Sequence, residues 1–303
     1  MSTDPTNSAT KRDRFTREFD RRWDRVERRI EARLENDESL DPTNENISGG
    51  RQSADFYEWY NMVLEEEVLE PMPLRHVRRG SHYTGPYVQD FYIHGMKEAD
   101  KRLRQEGFDF SNPPTPEEIV RQQRFNPGIH GDALEEEWIE IYTDLESAKQ
   151  DVLDETSDIY QFATRGDVAA IAALTGLTLR ELGADDGTIP PPPTLIMAAK
   201  NRVDKTGKNR TTLISQAKSV QTINDAALNR YQEVGIDGVG IDVEMVVDET
   251  PSSEFVTAGD ELVCPECQDR DGAIFPIDNV PARHQPPIHP NCRCMLTPAR
   301  RTL

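Results

Sequence analysis

The sequence predicts a mainly α-helical chain, an extended helical body at the amino end followed by a small α+β domain at the carboxy end. Three observations carry that expectation. Apolar residues recur every three or four positions over residues 15–34 and again over 138–162, the spacing of one helix face. Four consecutive prolines, Pro190, Pro191, Pro192 and Pro193, interrupt the helical pattern. All four cysteines of the 303 residues lie between Cys264 and Cys294, in two short pairs.

Taken in order, residues 1–10 read as a disordered lead. Phe15, Phe19, Trp23, Val26, Ile30 and Leu34 then form one narrow apolar stripe flanked by charge, the pattern of an amphipathic helix. Packing on the chain's own core and packing on a partner are equal readings of that stripe. The Asn-, Ser- and Gly-rich linker at 41–50 tilts it towards docking on a partner. Further helices are expected over 54–69 and 88–107, with Gly107 as the residue that ends the second. Thr115 caps a short helix that opens at Pro116. The longest helix spans about 132–164. Its stripe of Trp138, Ile141, Leu145, Ala148, Val152, Ile159 and Phe162 is broken only by Glu155. Such a coiled-coil-like seam packs on neighbouring helices first and self-associates second. A small helix is expected over 168–182, a stiff proline boundary at 189–193, helices over 194–204 and 210–234, and a strand over 240–247. The implied domains are 1–50 (lead, docking helix and linker), 51–188 (helical body) and 194–303, with 189–193 as linker.

The cysteines carry the chemistry. Cys264 and Cys267 are separated by two residues and can reach one ion from a tight turn. Twenty-four residues separate Cys267 from Cys292, which lies in the stretch His289-Pro290-Asn291-Cys292-Arg293-Cys294. Two thiol pairs at this separation match the knuckles of a structural zinc site. The candidate ligands are Cys264, Cys267, His289, Cys292 and Cys294, four of the five being expected on a tetrahedral Zn2+. Two disulfides, or free thiols in a reducing cytoplasm, are the other readings of the same cysteines. Zinc is favoured because His289 adds a ligand that a disulfide pattern does not need. A site filled by protein ligands has no open position, so it is structural, and the small carboxy-terminal domain is expected to be zinc-containing.

These residues resemble the tail of the phage Mu protein F-like head morphogenesis family, the minor head proteins of tailed viruses. The matching features are Cys264-Pro265-Glu266-Cys267, the Asp271-Gly272 turn, Pro286-Pro287-Ile288-His289-Pro290-Asn291-Cys292-Arg293-Cys294 and Pro298. Upstream, Asn209-Arg210, Ala217-Lys218-Ser219, Asn224, Tyr231 and Gly235 are similar to the family's paired-helix stretch, and the resemblance covers about 195–298. The family usually has arginine-threonine-glutamate where this chain has Lys218-Ser219-Val220. It also often has a tryptophan before the first knuckle, where this chain reads Val243-Glu244-Met245-Val246-Val247. What the resemblance implies is a low-copy structural component of the capsid interior or portal vertex, acting in head assembly and sometimes in DNA delivery. Its implied partners are the portal protein and the major capsid protein, and it implies no active site.

Composition narrows the setting. Asp and Glu number 55 against 35 Lys and Arg, a formal net charge of −20, and only 8 of the cations are lysine. Acid excess with scarce lysine suits molar salt, where screening shortens to a few ångströms. Combined with the resemblance, that suggests a tailed virus or provirus of a salt-loving archaeon. The charge argues against duplex DNA as main partner, although 10 basic and 7 acidic residues between Lys11 and Glu35 leave room for weak contact with packaged DNA. A zinc-containing nucleic-acid-binding protein is the alternative reading. No apolar run is long enough to span a membrane, and the resemblance implies the virion, with the host cytoplasm during assembly, as the location. No phosphate loop, nucleophile elbow or His-Glu-x-x-His helix is present. His76, His82, His94, His130 and His284 read as surface or packing residues. Neither catalysis nor a catalytic residue is expected.

Overall fold

The computed structural model describes residues 8–44, 46–105, 107, 114–123, 128–183, 192–237, 252–256, 264–289 and 292–299. The helices are α1 (Ala9–Asn36), α2 (Gly49–Leu64), α3 (Leu74–Val77), α4 (Gly85–Gln105), α5 (Pro116–Gln123), α6 (Ile129–Arg165), α7 (Val168–Thr175), α8 (Pro192–Arg202), α9 (Asn209–Asp237) and α10 (Pro265–Gln268). Strands β1 (Ser252–Val256), β2 (Ile274–Pro276) and β3 (Met295–Ala299) form an antiparallel sheet in the order β2-β1-β3. The chain is mainly α with a small α+β segment at its carboxy end, as its patterning implies. No described helix is long and apolar enough to cross a membrane.

The α1 stripe is buried along its whole length, with none of Phe15, Phe19, Trp23, Val26, Ile30 and Leu34 more than 6% exposed. This corrects the expectation of a docking face. The chain covers the stripe itself, since burying each such side chain stabilises by roughly 1.5–3 kcal/mol. α5 opens on a capping box: the Glu118 N–H donates to Thr115 Oγ1 at 3.3 Å, and the Thr115 N–H donates to Glu118 Oε2 at 3.0 Å. On α6 the residues Trp138, Ile141, Leu145, Ala148, Val152 and Ile159 are all buried. Glu155, the polar intrusion, is satisfied there by Arg202 Nη2 and Thr206 Oγ1, each at 2.5 Å.

Several boundaries differ from the sequence pattern. The helix expected over 168–182 stops at Thr175, because Gly176 turns left-handed at φ 73° and its N–H caps Ala172 O. α8 begins at Pro192, inside the proline run, since the first turn of a helix needs no N–H from its residues; residues 189–191 lie outside those described. The helices expected over 194–204 and 210–234 are joined by a π-helical turn, Val203–Lys208, into one continuous run. A second such turn, Glu65–Leu69, extends α2 and ends at Glu70, whose φ of 45° is left-handed. The strand expected over 240–247 also lies outside the described residues.

The chain divides into two compact units, each assembled from separated stretches. The first comprises the described residues of Met1–Phe15, Pro73–Ile141 and Leu213–Leu303, and holds α4, α5, α10 and the sheet. At its centre Arg230 of α9 is paired with Asp100 of α4. The second comprises Thr16–Met72 and Tyr142–Thr212. In its core, Phe56 stacks on Tyr160 at 4.3 Å and the Tyr160 hydroxyl donates to Leu40 O at 2.6 Å.

Within the first unit, α6 and α9 meet across two acids, Glu137 and Asp225. Burial is the first cause that raises both carboxyls, Asp225 to about 6, and the Asp225 charge adds to the rise at Glu137. Thr222 Oγ1 donates to Glu137 Oε2 at 2.7 Å, while Lys218, Glu136 and Glu140 are the charged neighbours. A carboxyl raised above its unfolded value of about 4 contributes stability that is fully present below that value. The contribution is lost as pH climbs through the folded value. We therefore expect stability to fall by about 1–3 kcal/mol between pH 5 and 8, on the linkage of one such group. Denaturant titrations of the wild type and Glu137→Gln check it: the slope should flatten in the variant, and equal slopes would refute the pair.

Candidate metal centre

Each half of the centre is built by short local structure. Pro265 occupies the first turn of α10, where its fixed φ suits the helix and its missing N–H costs nothing. Cys264 caps that turn, its Sγ accepting from the Cys267 N–H at 3.4 Å. Both sulfurs of the Cys-x-x-Cys pair therefore sit on one side of a single turn. The other half is the segment that enters β3, where the Cys292 N–H donates to His289 O at 3.0 Å. Cys292 and Cys294 are two residues apart on it.

The halves converge. His289 Nε2 lies 3.1 Å from Cys264 Sγ and 3.0 Å from Cys267 Sγ. Donor atoms of Cys264, Cys267 and His289 all lie within 4.8 Å of one another, and so do those of Cys267, Cys292 and Cys294. Cys267 belongs to both groups. All five residues singled out in the sequence are thus brought together, and either group could hold a metal ion. The four thiols are unbridged. Cys267, Cys292 and Cys294 are buried with Val280 and Leu296 in one apolar cluster, against which Leu228, Phe275 and Ile288 pack.

Sulfur crowding marks the electrostatics. A hydrogen bond from the Cys294 thiol pulls Cys292 down to about 5. The same contact, with burial, holds Cys294 protonated, and burial pushes Cys267 up to about 12. One thiolate therefore forms at the expense of its neighbours, because negative charge in an apolar cluster is costly. A divalent cation removes that conflict, since it binds each ligand as thiolate. Soft sulfur and imidazole donors at this density fit zinc in preference to hard cations.

One supporting residue was visible in the sequence only through the resemblance. Asn224 of α9, buried among apolar neighbours such as Val220 and Ile223, donates from Nδ2 to Cys294 O at 3.3 Å. Its Oδ1 accepts from the Leu296 N–H at 2.8 Å. One side chain thereby does for β3 what an adjoining strand would do, and holds the Cys294 backbone at a fixed distance from α9. The signal available in the sequence was a lone amide on an otherwise apolar helix face. Asn224→Ala leaves both backbone groups buried and unpaired, so we expect a loss of about 2–4 kcal/mol. Chemical denaturation followed on the carboxy-terminal segment measures it, and a change below about 0.5 kcal/mol would contradict the bracing role.

Of the other histidines, His82 and His130 are buried with hydrogen-bond partners, and His284 packs on Phe275 with ring centroids 4.6 Å apart. Beside α10 a shallow charged depression is lined by Glu266, Asp269, Arg270, Arg283 and His284. No curated protein and no solved structure matches the chain. Residues 195–297, which run from α8 through every candidate metal ligand, match the family described as Phage Mu protein F like protein.

Proposed function

We propose that this chain is a minor head, or head morphogenesis, protein of a tailed virus. In this reading it is a structural virion component that binds the portal protein or the inner wall of major capsid protein and acts in head assembly and genome delivery. The family match over 195–297 carries the reading, because it spans both the α8–α9 helical run and the whole Cys/His cluster. The body in front of it is a helical scaffold in which arginines and acids of different helices form ion pairs, such as Arg25 with Glu67 and Arg78 with Glu135.

The cluster takes a structural role in this proposal. Zn2+, when bound, supplies a tetrahedral cross-link and no reaction. Cys264 and Cys267 would hold it from the α10 turn, and His289, Cys292 and Cys294 from the segment entering β3. The residues between the two halves contribute few large apolar groups, so the ion would fix the sheet and α10 as one knob. Enzymatic activity forms no part of this reading.

The acid excess fits work in molar salt, and a melting temperature that rises from dilute to molar potassium chloride is the expected sign of it. Co-expression with a portal protein of the same virus, followed by affinity capture in high salt, tests the function. Capture of the two together, and presence of the chain in purified virions, support the proposal. Absence from virions together with failure to capture would overturn it.

A further inference from the structure

The charges of α1 are sorted by helix face. Arg22, Arg25 and Arg29 lie on one flank of the buried stripe, and Asp20, Asp24, Glu27 and Glu31 lie on the other. Each flank grips a different π-helical turn of the second unit. On the basic flank, Arg22 Nη1 donates to Glu67 O at 3.0 Å and to Glu70 Oε1 at 2.7 Å. Arg25 Nε donates to Glu67 Oε2 at 2.5 Å, and Arg29 Nη1 to Glu66 Oε2 at 2.5 Å. These three arginines hold the Glu65–Leu69 turn and the left-handed Glu70 that closes it.

On the acidic flank, Lys208 Nζ of the Val203–Lys208 turn contacts Asp24 at 2.9 Å and Glu27 at 2.5 Å. Lys200, in α8 just ahead of that turn, reaches Glu31 at 3.2 Å. Between the flanks the Trp23 indole lies on Gly207, where any Cβ would stand 2.9 Å from the ring, and its Nε1 donates to Thr211 Oγ1 at 3.0 Å. A π turn carries one residue more than the α-helix around it and persists where outside contacts hold it.

We infer that residues 16–36 of α1 form a releasable latch that keeps two π turns wound at once. While α1 is seated, both turns hold their extra residue. When it lifts, each turn can give up that residue, Glu65–Leu69 at the end of α2 and Val203–Lys208 ahead of α9, where the helix beyond rotates by about one residue, roughly 100°. The device is a strap, and displacing this single helix changes two π turns together. It stands whether or not the chain is a head protein.

Coupling between the turns is what separates a latch from ordinary packing. The test uses full-length protein as purified, with amide hydrogen exchange read separately at 65–70 and 203–208. The triple variant Arg22→Ala/Arg25→Ala/Arg29→Ala touches only the first turn directly. We expect exchange to rise about tenfold or more at both segments, while the α6–α7 core around Ile159 and Ile171 keeps its protection. Unchanged exchange at 203–208 would overturn the latch, as would loss of protection everywhere in step with global unfolding. Should the triple variant fail to fold, Arg25→Gln supplies the same reading at smaller amplitude. The reciprocal pair Arg25→Glu/Glu67→Arg should return both segments towards wild-type exchange, and failure to do so in either segment counts against the proposal.

Discussion

Cys267→Ser is expected to reduce bound zinc from about one ion per chain to almost none, and to unfold 264–299 while the long helices stay formed. Cys267 is the most consequential of the five donors because both ligand groups include it, whichever four residues complete the tetrahedron. It is also buried, so a serine there leaves a hydroxyl in the apolar cluster formed with Val280, Cys292, Cys294 and Leu296. Structural zinc contributes about 10–16 kcal/mol to small zinc modules, far more than this segment's few apolar side chains can replace. Cys264→Ser should do less, since Cys264 is only half-buried and belongs to one group. Elemental analysis of freshly reduced protein, with limited proteolysis, gives the two readings. Wild-type protein without zinc would sink the metal assignment. A zinc-free Cys267→Ser protein whose tail resists protease would show that the sheet and Asn224 hold the segment unaided.

Apolar periodicity made the long helices legible. On α1 and α6 the spaced residues are the ones that the fold buries, and Thr115 and Gly107 punctuate the chain where their chemistry predicts. What could not be read was what those stripes pack against. The stripe of α1 looked available to a partner because periodicity reports that a face is apolar and not what covers it. Its charges, counted together, left room for weak contact with DNA; sorted by flank, they match the acidic Glu65–Leu69 turn on one side and the basic Val203–Lys208 turn on the other. Both π turns escaped notice for a related reason. An extra residue in a helix leaves no compositional mark, and the gap expected between 204 and 210 holds Gly207, the seat for Trp23.

The candidate centre was legible because thiols and imidazole are scarce and their spacing is restricted by what one ion can accept. Cysteines gathered at one end of a chain need a common explanation, and the convergence of all five residues supplies it. The sequence alone could not supply the brace. Asn224 lies seventy residues from Cys294, and no local pattern links a helical amide to a distant strand. Strand β1 was missed because Ser252-Ser253-Glu254 has little β-propensity; pairing on both edges makes it a strand.

Arg230→Met should destabilise the first unit by about 3–5 kcal/mol, the cost of leaving a buried carboxylate without its cation. Arg230 Nε donates to Asp100 Oδ1 at 2.6 Å and Nη2 to Asp100 Oδ2 at 3.3 Å, a two-pronged pair across α9 and α4. Nη1 donates to Glu233 Oε2 at 2.6 Å, and Nη2 also reaches Pro114 O at 3.4 Å, ahead of α5. Burial opposes the guanidinium charge, yet Asp100 and Glu233 more than offset it and hold its pKa above the ordinary value. Beyond Glu233 the network continues through His130, whose Nδ1 is 2.9 Å from the Tyr92 hydroxyl, and Asn229 Nδ2 donates to that hydroxyl at 2.9 Å. Removing the cation strands Asp100 first, because Glu233 keeps His130 and a partly exposed edge. The double variant Arg230→Met/Asp100→Leu should therefore recover much of the loss, since an apolar pair of similar volume removes the stranded charge as well. Thermal melts should show a fall of about 10 °C for the single variant and a smaller one for the double. Two falls of equal size would mean that Arg230 matters for its packing volume, with the ion pair contributing little.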